Sequence, residues 1–89
     1  MKVNDKVQIS ESHSIEFGTS SWNDSDASVR DRWTTKTGGF SPRSSSEIPL
    51  SSIADIIVET AKRDLLDAPS AARVIEALAA SIARTTAPK

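Results

Sequence analysis

The chain has 89 residues, 37% of them hydrophobic and 26% charged, which is the composition of a single small globular domain. It contains no cysteine and one histidine, which excludes a disulfide framework, a zinc finger and thiolate chemistry. The formal net charge is −1, so nucleic-acid binding would require a local basic patch. Because the sequence has no long apolar run and no secretory signal, we expect a cytoplasmic protein without a membrane partner.

Apolar and polar residues alternate in the first part of the chain, as in Val7-Gln8-Ile9. This alternation is the period of a β-strand with one solvated face. It predicts an α+β protein whose residues 1–50 form an antiparallel sheet of three or four strands. Residues 1–14 either add an edge strand to this sheet or remain disordered.

A long hairpin is predicted over residues 27–50, after a polar loop at residues 22–26. Asn, Asp and Ser side chains in the loop bond their own backbone and compete with the sheet ladder. A Gly-Gly pair can supply the positive φ angles of the hairpin turn. If the hairpin closes around residues 36–39, Arg32 lies opposite Arg43.

Two helices are predicted after the sheet, over residues 52–66 and 68–85, because apolar residues recur there at intervals of three and four. The segment Asp67-Ala68-Pro69 offers an N-cap and a proline that fits the first turn of a helix. This segment is expected to end one helix and begin the next. The two ends of the chain are expected to be flexible.

A small cationic face is predicted on the hairpin. Strand alternation places Arg30 and Arg32 on the same side, Arg43 joins them from the returning strand, and Lys36 at the tip extends the group. Such a face, surrounded by hydroxyl groups, can bind phosphates. The alternative is that these arginines only keep an exposed strand soluble while neighbouring acids neutralise them.

The aromatic residues of this part divide into two groups. Trp33 is in phase with Val29 and is expected in the core. Trp22, beside the polar loop, is the candidate for an exposed platform on which a base stacks. Phe40 suits either role.

A homodimer is expected, because a sheet with few apolar residues and an alanine-rich second helix bury little surface by themselves. Two copies that share their helices would enlarge the core. The expected interface residues lie on both helices: Ile57, Ala61, Ala71, Ile75, Leu78 and Ile82.

Enzymatic chemistry is not expected. His13 has serine neighbours, Ser12 and Ser14, but adjacent residues in a strand point to opposite faces, and the sequence specifies no orienting acid. The acids show no spacing typical of a metal site. We therefore expect no catalytic residues, no metal and no cofactor.

The hairpin resembles the positive-cofactor-four family of transcriptional coactivators over about residues 27–61. The residues that carry the resemblance are Val29-Arg30-Asp31-Arg32-Trp33, then Gly38, Pro42 and Arg43, then Ile48-Pro49-Leu50 directly before a helix. The resemblance implies a curved antiparallel sheet packed on a helix, dimerisation through helices and sheet, and binding of single-stranded or melted DNA. It also implies that Arg30, Arg43 and Lys36 face the DNA.

The chain departs from the family pattern between Pro42 and Ile48, where it has one extra residue and a serine-rich stretch ending in Glu47 instead of a basic one. Two hypotheses follow. The first is a non-enzymatic, dimeric module that binds single-stranded DNA and regulates transcription. The second is a small interaction or inhibitor protein, for example encoded by a virus or plasmid, which uses the same scaffold to bind another protein.

Overall fold

A computed structural model describes residues 1–35, 37, 39, 41 and 45–87 of the chain. Its elements are β1 (Lys2–Gln8), β2 (His13–Thr19), β3 (Ala27–Trp33), β4 (Ser46–Pro49), a 3-10 turn (Leu50–Ser52), α1 (Ile53–Lys62) and α2 (Ala68–Thr86). The predicted α+β class, an antiparallel sheet followed by two helices, is confirmed. The chain forms two compact units, Met1–Ala54 and Asp55–Lys89.

The four strands form an open antiparallel sheet in the order β1-β2-β3-β4. Of the two alternatives for residues 1–14, the structure has the edge strand, since β1 pairs with β2 along its length. The pairing shifts between Val3 and Asp5, which leaves a bulge in β1. Near this bulge a Cβ on Gly18 would lie 1.9 Å from the Lys2 carbonyl oxygen, so the close approach of the two strands requires glycine.

The register of the hairpin differs from the predicted one. Ser28 pairs with Pro49 and Asp31 with Ser46, and continuing this register would place Ser45 opposite Arg32. The predicted partner, Arg43, lies outside the described residues, so its pairing with Arg32 stays a prediction. The register of the described pairs differs because β4 begins only at Ser46, so the connection from β3 is longer than a tight Gly-Gly turn.

The sheet has two chemically different faces, because directly paired residues project to the same side. One, called the polar face below, carries Lys6, Gln8, Ser14, Glu16, Ser28, Arg30, Arg32 and Glu47. The opposite, apolar face carries Val7, Ile15, Phe17, Val29 and Ile48, together with His13, Asp31 and Trp33. Among the described residues the buried hydrophobic side chain is Val29, which lies on a central strand.

Trp33 is not a core residue, because its side chain lies beyond the last pair that β3 forms with β4 and is 37% exposed. The prediction that it packs with Val29 in the core is therefore wrong. The period-2 pattern correctly places Trp33 on the apolar face with Val29. Burial also depends on how far the neighbouring strand β4 extends, and β4 does not reach Trp33.

The helices begin and end at identifiable signals. At the end of α1, the Leu65 amide donates to Thr60 O and the Asp64 amide to Ala61 O, with Asp64 in the left-handed region at φ 55°. This Schellman arrangement ends α1 at Lys62, four residues before the predicted end. At the start of α2, the Asp67 carboxylate accepts a hydrogen bond from the Ser70 amide at 2.7 Å, as the N-cap signal predicts.

None of the helices that the structure describes is long and apolar enough to cross the hydrocarbon core of a membrane. The apolar residues of α2 instead recur on one side of an otherwise small and polar helix.

Candidate nucleic-acid interface

The polar face has Glu16 at its centre. This residue is 5% exposed, and its Oε1 accepts from Arg30 Nε at 2.8 Å and lies 2.6 Å from Arg30 Nη2. Arg32 Nε lies 3.9 Å from the same oxygen. A carboxylate removed from water needs such partners, because an unpaired buried charge is strongly unfavourable.

The ion pairs bring two arginines side by side on the sheet. The side chains of Arg30 and Arg32 are 20% and 25% exposed, so both are half-buried. Glu16 therefore brings two guanidinium groups together on the polar face, where Glu47 is the cross-strand neighbour of Arg30. The two arginines lie on the same face of the sheet, as the strand alternation predicts. They are not fully exposed, because both lie against the carboxylate of Glu16.

Glu47 links the polar face to the loop between β2 and β3. Its carboxylate accepts from the Ser21 amide at 3.1 Å, from Ser21 Oγ at 2.6 Å and from Ser28 Oγ at 3.0 Å. Partial burial acts to raise the pKa of Glu47, but the hydrogen bonds from Ser21 and Ser28 outweigh it and hold the pKa below its ordinary value. An ionised Glu47 therefore fastens the loop to the polar face.

The loop itself, residues 20–26, is held by short-range hydrogen bonds. Ser20 Oγ donates to Asn23 O at 2.6 Å, and Asn23 Oδ1 accepts from the amide and hydroxyl of Ser25 at 2.9 and 2.8 Å. Trp22 donates from Nε1 to Asp26 Oδ2 at 3.3 Å and is 49% exposed. The predicted exposure of Trp22 is confirmed, and the ring is presented by an ordered loop.

A concavity of about 660 Å³ lies at the same end of the sheet. Its lining residues are Met1, Lys2, Thr19, Ser20, Ser21 and Asp24. The lining is mainly polar and includes three residues of the loop that carries Trp22, namely Ser20, Ser21 and Asp24. The end of the sheet next to Trp22 is thus recessed and rich in hydrogen-bonding groups.

The apolar face carries a separate cluster that the sequence did not predict. The His13 ring stacks on the Trp33 indole with centroids 3.9 Å apart and an interplanar angle of 3°. Asp31 forms a hydrogen bond with His13 Nε2 and accepts from Trp33 Nε1 at 3.2 Å. The hydrogen bond to His13 is the main cause that holds the pKa of Asp31 below its ordinary value, with a further contribution from Trp33 and the opposing effect of partial burial.

Half of the predicted nucleic-acid contacts can be located. Arg30 and Arg32 lie together on the polar face, and the loop of Trp22 is bound to that face through Ser21 and Glu47. The other three, Lys36, Phe40 and Arg43, lie outside the described residues and stay predictions.

The residues predicted for a dimer interface differ in exposure. Ile57 and Ala71 are half-buried, and Ala61 is exposed. Ile75, Leu78 and Ile82 are 67%, 48% and 61% exposed. No residue in the described parts of α1 and α2 is buried.

Glu16 is the residue of the site that sequence reasoning missed. Its signal was present, because alternation in Ile15-Glu16-Phe17 places Glu16 on the face opposite its apolar neighbours. Recognising its partner requires the register between β2 and β3, which pairs Glu16 with Arg30. That register depends on the length of the intervening loop and is not encoded in either strand alone.

The chain was compared with models of protein families, with curated proteins and with solved structures, and none of these comparisons found a match.

Proposed function

We propose that this protein is a non-enzymatic module that binds single-stranded nucleic acid, with DNA as the expected form, through the polar face of its sheet. The observation that supports the proposal is the pair Arg30 and Arg32, held side by side by Glu16 on a face to which the loop of Trp22 is fastened. A role in transcription regulation is proposed from the hairpin resemblance alone.

The chemistry of the polar face fits the backbone of a nucleic acid. Guanidinium groups are strong partners for phosphate oxygens, and serine hydroxyls add hydrogen bonds to phosphate and sugar. Arg30 and Arg32 are two residues apart on a strand, which separates their Cα atoms by about 7 Å. Glu16 holds the Arg30 side chain in advance through a hydrogen bond from Nε at 2.8 Å, so less conformational entropy is lost when this arginine binds.

The exposed indole of Trp22 favours a single strand over a duplex. A base can stack on an aromatic ring only when it is unpaired and accessible, and such stacking is tolerant of sequence. We expect Trp22 to contribute about 1–3 kcal/mol of binding free energy per stacked base. Phosphate contacts on the sheet and stacking at its end together describe a general single-strand site.

The test is a fluorescence-anisotropy titration of a labelled mixed-sequence single strand at about 50 mM and about 200 mM salt, with the duplex as control. The wild type is expected to prefer the single strand and to weaken as salt rises. Arg32→Gln is expected to reduce the slope of log K against log salt by about 0.7, since one phosphate contact is lost. Arg63→Gln, directly after α1 in the helical unit, makes the same change in net charge and is expected to leave binding unchanged.

Two further variants separate a specific site from bulk charge. Replacing Glu16 and Arg30 together by glutamine leaves the net charge unchanged and leaves no lone carboxylate, yet it should weaken binding. Trp22→Ala should weaken binding with little change in the salt slope. Absence of single-strand binding at low salt by a folded wild-type protein would contradict the proposal.

The second candidate function is an interaction module for another protein, and exposed apolar side chains on the helical unit favour it. On α2, Ile75, Leu78 and Ile82 are 67%, 48% and 61% exposed and recur on one side of the helix. Such residues mark interaction surfaces when they occur together. If the folded protein binds no nucleic acid, this candidate becomes the better one, and isothermal titration with a purified partner would test it.

A further inference from the structure

The second helix carries an exposed apolar stripe, which we define as Ile75, Leu78 and Ile82. Their exposures of 67%, 48% and 61% are high for residues that recur on one side of a helix. At about 100° per residue, the three side chains lie within an arc of about 60°. The stripe is therefore one continuous surface running along α2.

The residues beside the stripe are small or uncharged. Ala72 and Ala79 lie on one side of the stripe, and Ala71 lies within its arc. The charged side chains of α2, Arg73, Glu76 and Arg84, project at least about 100° away from the middle of the stripe. This separation of charge from the apolar stripe is typical of a helix that packs against another helix.

We propose that the stripe binds the same stripe of a second copy of this chain, with the two α2 helices antiparallel. A face without charge has no electrostatic repulsion against itself, which a two-fold interface requires. Antiparallel helices also place the positive end of each dipole beside the negative end of the other.

The stripe is complementary to itself when the two-fold axis passes between Leu78 and Ala79. In this register Ile75 lies beside the partner's Ile82, and the two copies of Leu78 meet next to the axis. The antiparallel pair therefore buries its three largest apolar side chains at the centre of the interface.

The area available is compatible with a dimer. A helix of 19 residues is about 28 Å long, and a stable interface buries about 800 Å² on each partner. The stripe supplies the centre of such an interface, and the small side chains beside it on the same helix, Ala71, Ala72 and Ala79, add contact area. This pairing does not depend on nucleic-acid binding and can hold or fail separately from it.

The first test is sedimentation velocity of the full chain over a wide concentration range. The wild type is expected to show a reversible monomer–dimer equilibrium. Ile75→Glu with Ile82→Glu is expected to raise the dimer dissociation constant at least about 100-fold, because it places charges in the interface. Ala77→Glu with Ala80→Glu adds the same charge to the opposite side of α2 and is expected to change the constant less than threefold.

Circular dichroism of both double variants shows whether a loss of dimer is caused by unfolding of the helix. All four substituted residues are exposed, so the helix content is expected to match that of the wild type. A wild type that stays monomeric at millimolar concentration would overturn the proposal, and so would equal effects of the two double variants.

The second test determines helix orientation by disulfide formation, which is possible because the chain has no cysteine of its own. In the antiparallel register, position 75 lies beside the partner's position 82, whereas the two copies of position 75 are about 10 Å apart along the helix axis. A mixture of Ile75→Cys and Ile82→Cys proteins is therefore expected to form a mixed disulfide dimer. Efficient homodimers of Ile75→Cys alone would overturn the antiparallel arrangement.

Discussion

Glu16 determines the electrostatics of the polar face. Its carboxylate is nearly buried and contacts the guanidinium of Arg30 at 2.6 Å, with Arg32 at 3.9 Å. Such a pair contributes little net stability relative to an apolar pair, but removal of one partner leaves the other charge buried and uncompensated. The arrangement therefore positions the arginines more than it stabilises the sheet.

A double-mutant cycle at Glu16 and Arg30 tests this interpretation. Arg30→Gln is expected to lower the free energy of unfolding by about 3 kcal/mol, because the Glu16 charge loses its main partner. Adding Glu16→Gln should recover part of this loss, so the two effects are not additive. Urea denaturation of the four proteins provides the measurement, and additive effects would show that the two side chains do not interact.

The cluster of His13, Asp31 and Trp33 predicts how stability changes in acid. Asp31 has a pKa below its ordinary value, chiefly because of the hydrogen bond to His13, so the folded state favours the ionised carboxylate. The resulting stability is fully present above the ordinary pKa and is lost as pH falls through the lower folded pKa. Urea denaturation between about pH 5 and about pH 2 should show a shallower loss in Asp31→Asn than in the wild type. Parallel curves for the two proteins would contradict this prediction.

At the level of elements, local patterns predicted the types of structure better than their pairings. Alternation and helical spacing are properties of short segments, so the strands and both helices follow from them. The β3–β4 register depends on where β4 begins, at Ser46, and the Glu16–Arg30 pair depends on the β2–β3 register. Neither register can be inferred from the residues of one strand alone. For this reason the sequence predicted that Arg30 and Arg32 share a face but did not predict their contact with Glu16.

The end of α1 shows a second limit of local prediction. Glycine is the usual residue in the left-handed position that ends a helix, and here Asp64 occupies it at φ 55°. The sequence therefore lacked the usual stop signal, and the predicted helix was too long by four residues.

Substitution of Asp64 tests the strain at this position. Asp64→Gly is expected to stabilise the protein by up to about 1 kcal/mol, since glycine adopts the left-handed conformation without a steric cost. Asp64→Val is expected to destabilise it by about 1–2 kcal/mol, because its branched side chain is disfavoured there. Thermal denaturation measures both changes. A glycine variant less stable than the valine variant would rule out backbone strain as the reason.

For the whole molecule, the polar face of the sheet and the stripe of α2 are two surfaces of different chemistry on different units of the chain. The net charge of −1 means that no general attraction to nucleic acid is available, so each binding face acts through its own few contacts. A dimer formed through α2 would carry two polar faces. Linkage of two weak sites raises the overall affinity for any ligand long enough to reach both.

Oligonucleotide length therefore tests both proposals together. A strand of about 10 nucleotides fits one module, whereas one of about 40 can contact two. We compare the ratio of the affinity for the long strand to the affinity for the short strand. This ratio is expected to be at least about 10-fold larger in the wild type than in Ile75→Glu with Ile82→Glu, because only the dimer binds at two linked sites. The short strand should bind that variant and the Ala77→Glu with Ala80→Glu control equally well, since both add the same charge. If the short strand binds but the ratio is the same in all three proteins, nucleic-acid binding stands and the two faces act independently.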